Sequence, residues 1–119
     1  MDVSYNNNYI FKFDSYTYHF YLINNILYFE IIKDNQITIK IISENILLFS
    51  VDLDYSDSIN VVCIDLFGNL TLFSNNSNCW KKRIITNLYI NSYKYRDLKV
   101  YCNKKNIHIL LLKTDKIQS

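Results

Sequence analysis

The sequence predicts an all-β protein, and three features of its composition support that prediction. Isoleucine, tyrosine and phenylalanine occur 18, 11 and 7 times in 119 residues, and all three favour strands. Alanine and proline are absent, and glutamate and glutamine occur twice each, so strong helix formers are scarce. Sixteen asparagines and one glycine supply the turns between strands. No stretch of a dozen residues repeats its apolar positions at helical spacing, so we expect no long helix.

Ten strands follow from the alternation of apolar and polar residues between clusters of turn residues. Gln36–Ile41 alternates without a fault, which predicts a sheet with one face in water. Asn60–Asp65 is more continuously apolar, which predicts a strand buried on both faces. The predicted strands are Tyr9–Asp14, Tyr18–Ile23, Ile26–Ile32, Gln36–Ile42, Ile46–Asp54, Ile59–Asp65, Asn69–Ser74, Trp80–Thr86, Leu98–Cys102 and Ile107–Lys113.

The strands recur in groups of four, and the second strand of each group sets the alignment. The same order of residue types (apolar, His or Asn, apolar, apolar) occurs in Tyr18–Tyr21, Ile59–Val62 and Ile107–Leu110. The intervals between these segments are 41 and 48 residues. Four short strands in about 40–50 residues are typical of β-propeller blades.

We therefore expect one β domain over residues 1–119, built of antiparallel four-stranded blades that pack face to face. Two complete propeller blades, at about 9–42 and 46–86, are followed by an incomplete third at 98–113. A single β-sandwich or barrel is the alternative fold. Trp80–Thr86 suits the outermost strand of a blade, because its cations discourage edge-to-edge aggregation. Phe49–Asp54 is polar at every second residue, which predicts a first strand with one wet face.

A family resemblance agrees with this organisation. The chain resembles β-propeller proteins of low-GC clostridial bacteria in the succession of four segments: Phe49–Asp54, Ile59–Val62, Gly68–Leu70 and Trp80–Lys82. It is similar, more distantly, to blades of sialidase-like and fucose-lectin-like propellers. Ser74–Trp80 resembles a degenerate sialidase aspartate box, with asparagine at the acidic and glycine positions and one residue fewer. The resemblance implies a blade-built fold and carries over no catalytic residue.

The number of blades predicts association. Two and a half blades are too few to close a propeller ring. An open array leaves apolar blade faces exposed, so we expect self-association or partner blades.

Cysteine usage and targeting patterns predict a cytoplasmic protein. Cys63, Cys79 and Cys102 are odd in number and form no C-x-x-C pair, so neither a disulfide framework nor a zinc site is expected. Met1–Asn6 lacks the basic and apolar regions of a signal peptide, and no apolar stretch is long enough to span a membrane.

The net charge of +2 is unevenly distributed. Residues 1–79 carry 3 Lys or Arg against 9 Asp or Glu, whereas residues 80–119 carry 10 against 2. Aromatic and cationic residues interleave in this basic third, as on surfaces that stack bases or sugars. Ordinary solvated strands give the same pattern. The candidate ligand or partner surface comprises Trp80, Lys81, Lys82, Arg83, Tyr93, Tyr95 and Arg96.

Other polar residues are interpreted as structural. His19 and His108 occupy the same position in different repeats, where we expect them to form hydrogen bonds. Asp52, Asp54 and Asp57 have a spacing similar to a calcium loop but lack its glycine and terminal glutamate. Together with Asp65, they are expected to accept backbone hydrogen bonds.

These observations favour a binding protein over an enzyme. A single glycine excludes the P-loop, the dinucleotide fingerprint and the nucleophile elbow. We expect no catalytic residue, no cofactor and no bound metal. The predicted function is a non-enzymatic module that binds glycans or proteins. Nucleic-acid or polyanion binding through the basic C-terminal third is the first alternative, and a truncated propeller fragment without independent function is the second.

Overall fold

The structure is a computed structural model that describes residues 8–12, 15–54, 58–76, 79–88, 93–103 and 106–115, with the backbone alone at 76, 93–96 and 113–115. The chain divides into two compact units, Met1–Ile46 and Leu47–Ser119. The strands are β1 (Asn8–Lys12), β2 (Tyr16–Ile23), β3 (Ile26–Lys33), β4 (Gln36–Ser43), β5 (Ile46–Leu53), β6 (Ile59–Asp65), β7 (Asn69–Asn76), β8 (Cys79–Asn87), β9 (Tyr93–Cys102) and β10 (Ile107–Asp115).

The all-β prediction is confirmed. All ten predicted strands are present, and none of the residues that the structure describes belongs to a helix. The first sheet has the order β1-β2-β3-β4 and the second has the order β5-β6-β7-β8, while β9 and β10 form a hairpin. The described registers are antiparallel. The predicted edge position of Trp80–Thr86 is confirmed, because β8 is the last strand of its sheet.

The strand ends lie within two residues of the prediction, except at the start of β9. β1 ends at Lys12, and the predicted end at Asp14 lies outside the described residues. β9 begins at Tyr93 instead of Leu98.

Asparagine-rich turns connect the strands of the first sheet. Asn24 and Asn25 join β2 to β3, Asp34 and Asn35 join β3 to β4, and all four have positive φ, between 51° and 64°. Two successive residues with positive φ form the type I′ turn, whose twist matches that of a hairpin. In the second sheet Gly68, the only glycine, has the positive φ that its turn position predicts, 88°.

The register of the first sheet assigns its side chains to two faces, because directly paired residues share a face. The phenylalanine face carries Phe11, Phe20 and Phe29. The rings of Phe20 and Phe29 are buried and stacked, with centroids 4.7 Å apart. The isoleucine face consists of Asn8, Ile10, Lys12, Thr17, His19, Tyr21, Ile23, Ile26, Tyr28, Glu30, Ile32, Ile37, Ile39 and Ile41.

The predicted strand at Gln36–Ile41 is confirmed, but both of its sides are exposed instead of one. Ile39 pairs with Glu30 and therefore lies on the isoleucine face, where it is exposed. Lys40 pairs with buried Phe29 on the phenylalanine face. The alternation thus identifies the strand but not a covered side, because the polar residues of 36–41 are exposed as well as the isoleucines.

The second sheet contains the most deeply buried strand of the described chain. Val61, Val62, Cys63 and Ile64 of β6 have no exposed surface, so the prediction of a strand buried on both faces is confirmed. The β9–β10 hairpin covers one of these faces. The buried side chains that it shares with the sheet are Val62, Ile64, Leu70, Leu72, Leu98 and Val100, with Leu48, Leu88, Cys102, Ile109 and Leu111 partly buried around them.

Candidate functional site

The basic and aromatic residues predicted as a surface on β8 are divided between two faces. Trp80 and Lys82 alternate with Lys81 and Arg83 along the strand, so the two pairs point to opposite sides of the second sheet. Lys82 lies beside Phe73, with its Nζ 5.9 Å from the ring centroid. The remaining predicted members are in β9 and their side chains lie outside the described residues: Tyr93, Tyr95 and Arg96.

The polar residues of β5 contact the hairpin instead of water. Ser50, predicted to lie on a wet face, is only 1% exposed. Its Oγ accepts a hydrogen bond of 3.1 Å from the amide of Val100, and Asp52 Oδ2 accepts one of 2.7 Å from the amide of Cys102. These amides lie on an edge of β9, where they need acceptors because buried backbone donors are costly to leave unpaired. The alternation in β5 therefore marks a docking face, and the expectation of a wet face is wrong.

A buried asparagine extends this polar contact. Asn60 Oδ1 accepts a hydrogen bond of 2.9 Å from the hydroxyl of Ser74, and its Nδ2 lies 3.5 Å from both Asp54 Oδ2 and Cys102 Sγ. Asp54 Oδ1 accepts the amide of Ser58 at 3.0 Å. The network joins β6, β7 and the hairpin in the second unit.

Two thiols of the second unit, those of Cys63 and Cys102, are protected from ionisation. Burial, followed by the charges of Asp52 and Asp54, raises the pKa of Cys102 to about 11. Burial also raises the pKa of Cys63, and the charge of Asp65 adds to the effect. A thiol must ionise to act as a nucleophile or a metal ligand, so neither side chain is prepared for that chemistry.

The aspartates mostly act as predicted. Asp65 Oδ1 accepts the amides of Phe67 and Asn69, both at 2.9 Å, and so holds the turn that contains Gly68. Asp54 also accepts a local amide. Asp52 differs, because its backbone partner belongs to β9. Asp57 lies outside the described residues. Within the described residues, no three His, Cys, Asp or Glu side chains gather in the way that a metal site requires.

The histidines are hydrogen-bonded on different sheets. His19 Nε2 lies 2.9 Å from Asn8 Oδ1, and His108 Nε2 lies 3.0 Å from Asn103 Nδ2. The predicted hydrogen-bonding role is confirmed for both.

The isoleucine face combines exposed apolar side chains with a small polar centre. Five isoleucines on it are between 52% and 60% exposed: Ile10, Ile23, Ile37, Ile39 and Ile41. Tyr21 stacks on Tyr28 with ring centroids 5.3 Å apart, and both rings are half-buried. The five most exposed aliphatic side chains of the first sheet therefore all lie on one of its two faces.

The polar side chains at the centre of the isoleucine face are bonded to one another. The Tyr21 hydroxyl donates to Glu30 Oε2 at 3.2 Å, and His19 Nδ1 lies 3.8 Å from Glu30 Oε1. Burial raises the pKa of Tyr21, and the hydrogen bond to Glu30 raises it further, so the hydroxyl remains a donor. Because these side chains already contact one another, a partner that covers them does not have to supply hydrogen-bonding groups for them.

The isoleucine face is not part of the surface that the sequence predicts. The signal that was available is the spacing of Ile37, Ile39 and Ile41, which places three isoleucines on one side of a strand. That spacing does not reveal which side is covered, since covering depends on the neighbouring layers.

Comparison of the chain with protein-family models, with curated proteins and with solved structures gives no match. The similarity to clostridial and sialidase-like propellers therefore stays a prediction. Among the described residues, no helix is long and apolar enough to cross a membrane.

Proposed function

We propose that this chain is a non-enzymatic, cytoplasmic interaction module, built from propeller-type blades, that binds protein through the isoleucine face. The observation that carries the proposal is the set of five isoleucines, each more than half exposed, on one ordered four-stranded sheet. Exposed apolar side chains grouped on one face in this way are typical of protein–protein contact sites.

The second unit supports the proposal by showing how a similar sheet is covered. There the β9–β10 hairpin packs Leu98 and Val100 against one face of the second sheet. A face of a four-stranded sheet of this type is thus a suitable docking surface for other strands.

The absence of disulfide bonds among the three cysteines supports the proposed location in a reducing compartment. Cys63, Cys79 and Cys102 are all without disulfide bonds, and Cys79 is exposed. Exposed free thiols persist where glutathione and thioredoxin keep them reduced, as in the cytoplasm.

The experiment compares the binding of the wild type and two variants to a protein array and to a glycan array. The protein array also carries the wild-type chain, so that self-association is detected. Ile39→Lys places a charge on the isoleucine face, and Ile84→Lys is the matched control, because Ile84 is 58% exposed on the edge strand of the second sheet. We expect at least one protein on the array to bind the wild type and Ile84→Lys but not Ile39→Lys. The same difference should be measured when that protein is purified. Binding that all three chains share equally would contradict the proposal, and salt-insensitive binding to a neutral glycan alone would replace protein with glycan.

Polyanion binding is the alternative proposal, and the exposure of three cations on β8 favours it. Lys81, Lys82 and Arg83 are all exposed. Single-stranded DNA and heparin are the probes, each at about 50 and 200 mM salt. A steep loss of affinity over this range, absent when the three cations are replaced by serine, would support it. A wild-type chain without cooperative unfolding would favour the remaining alternative, a fragment without independent function.

A further inference from the structure

We propose that the isoleucine face is covered by the same face of a second copy of this chain, in a two-fold symmetric dimer. The inference rests on the proposed function, because it names the partner for the same surface. Three properties of the face lead to it: its area, its internally paired polar groups and the order of residues across its four strands.

The area of the face meets the lower requirement of a specific dimer. Four strands spaced about 4.8 Å apart, with about seven residues each at about 3.4 Å, cover about 450 Å² of flat surface. Two such faces with corrugated side chains bury on the order of 1,000 Å² in total, which is the lower limit for stable interfaces. An interface of this size belongs to the small end of specific interfaces, so the dimer is expected to be reversible.

The polar groups of the face favour an apolar partner. Tyr21, Glu30 and His19 already contact one another, and His19 also contacts Asn8. Groups that are paired before docking cost less to cover than unpaired ones. The formal charges of Lys12 and Glu30 cancel, so the face as a whole attracts neither a strongly acidic nor a strongly basic partner.

The residue order across the sheet makes the face complementary to itself. Ile10, His19, Glu30 and Ile39 pair in sequence across β1, β2, β3 and β4, which forms one row with apolar ends and a polar centre. A two-fold axis parallel to the strands, between β2 and β3, reverses this row. Ile39 of the partner subunit then lies over Ile10, and Glu30 of the partner subunit lies over His19.

The other orientation is disfavoured by charge. An axis perpendicular to the strands and in the plane of the sheet would place Glu30 over the partner's Glu30. Like charges that meet inside an interface are destabilising. The axis parallel to the strands avoids this contact, and it also covers the exposed isoleucines of β4 with β1.

The first experiment measures the mass of the full chain by sedimentation equilibrium from about 1 to 200 µM. We expect the wild type and Ile84→Lys to form dimers of the 14.3 kDa chain with similar dissociation constants. Ile39→Lys should raise the dissociation constant by at least about 100-fold, because it places an ammonium group, which is costly to bury, under Ile10 of the partner subunit. Ile37→Lys serves as a second variant, and circular dichroism verifies that each variant is folded.

The second experiment tests the orientation by cross-linking in a Cys79→Ser background. Ile10→Cys combined with Ile39→Cys should give disulfide-linked dimers under mild oxidation. Ile10→Cys alone should not, because the two copies of position 10 lie at opposite edges, about 14 Å apart laterally across three strand spacings and further separated by the spacing of about 10 Å between the sheets. Efficient cross-linking of the single variant would overturn the proposed axis.

Three results would overturn the dimer itself: a monomer at every concentration, assembly that grows beyond two copies, or equal effects of Ile39→Lys and Ile84→Lys. A monomeric chain that still binds a different purified protein, in a manner sensitive to Ile39→Lys, would remove this inference and leave the proposed function standing. A monomeric chain with no such partner would remove both.

Discussion

Ser50 and Asp52 illustrate how single polar side chains fix a layer of strands. Each accepts an amide of β9, so two backbone donors on an edge of the hairpin are satisfied without a neighbouring strand. A hydrogen bond of this kind is worth only about 1 kcal/mol net, but leaving a buried donor unpaired costs more. The spacing of Ser50 and Asp52 matches that of Val100 and Cys102, which fixes how the hairpin lies along β5.

Removal of the Ser50 hydroxyl therefore has a predictable cost. Ser50→Ala leaves the amide of Val100 without this buried acceptor and should lower the free energy of unfolding by about 1–3 kcal/mol. Urea unfolding measures the change. Thr38→Ala, at an exposed strand position, is the control and should stay within about 0.5 kcal/mol of the wild type. Equal effects of the two substitutions would show that the hydrogen bond to Val100 contributes nothing specific.

The three thiols should react in a defined order. At pH 8 a pKa of about 11 leaves Cys102 about 100-fold less ionised than a thiol with the ordinary value of 9.0. Exposed Cys79 should react first with iodoacetamide, Cys102 much more slowly, and buried Cys63 only after unfolding. Mass spectrometry of timed samples measures the order. Cys102 labelling as fast as Cys79 would contradict the burial and the charge effect of Asp52 and Asp54.

At the scale of the strands and turns, asparagine and aspartate occupy the positive-φ turn positions that glycine occupies in many hairpins. Both residues of each two-residue turn in the first sheet have positive φ, yet none is glycine. Asparagine tolerates this left-handed region better than other non-glycine residues. The turn at Asn25 differs from that at Asn35, because the Asn25 side chain also donates to the carbonyl of Ile46 at 2.9 Å.

The same substitution in the two turns should therefore have different effects. Asn35→Gly removes the cost of the left-handed conformation and should be neutral or stabilising. Asn25→Gly loses the hydrogen bond to Ile46 and should be less favourable by about 0.5–1.5 kcal/mol. Asn35→Val should destabilise by about 1–2 kcal/mol, because a β-branched residue fits this region poorly. Thermal unfolding of the three variants measures the order of their stabilities. Equal stabilities of the two glycine variants would contradict the role of the Asn25 side chain.

The sequence predicts the strands better than it predicts their surroundings. Strand existence depends on local alternation and turn residues, so β4 and β6 are found correctly. Which face is covered depends on layers that a local pattern does not contain. For this reason Ser50 was expected in water and is buried, whereas Ile39 was expected in a packed layer and is exposed. Strand pleating divides Trp80–Arg83 between two sides of β8, which a list of neighbouring residues does not reveal, and the candidate surface as a whole stays a prediction.

At the scale of the whole molecule, the second unit depends on the hairpin for one of its apolar faces. Leu98 is 1% exposed against the second sheet, whereas Leu112, on the opposite side of the hairpin, is 49% exposed. The only tryptophan, Trp80, belongs to the same unit and is half-buried in β8. Its fluorescence therefore reports the unfolding of the second unit, while far-ultraviolet circular dichroism reports all ten strands.

Truncation of the two leucines should separate the covered face of the hairpin from its open face. Leu98→Ala removes a fully buried side chain and should destabilise the second unit by about 2–5 kcal/mol, visible as an earlier Trp80 fluorescence transition in urea. Leu112→Ala should shift this transition by less than about 1 kcal/mol, since half of its side chain already meets water. If the two variants shifted the transition equally, the second sheet would not need the hairpin as its covering layer. A circular dichroism transition that stays partly in place while the fluorescence transition moves would show that the first unit, Met1–Ile46, keeps its strands independently of this contact.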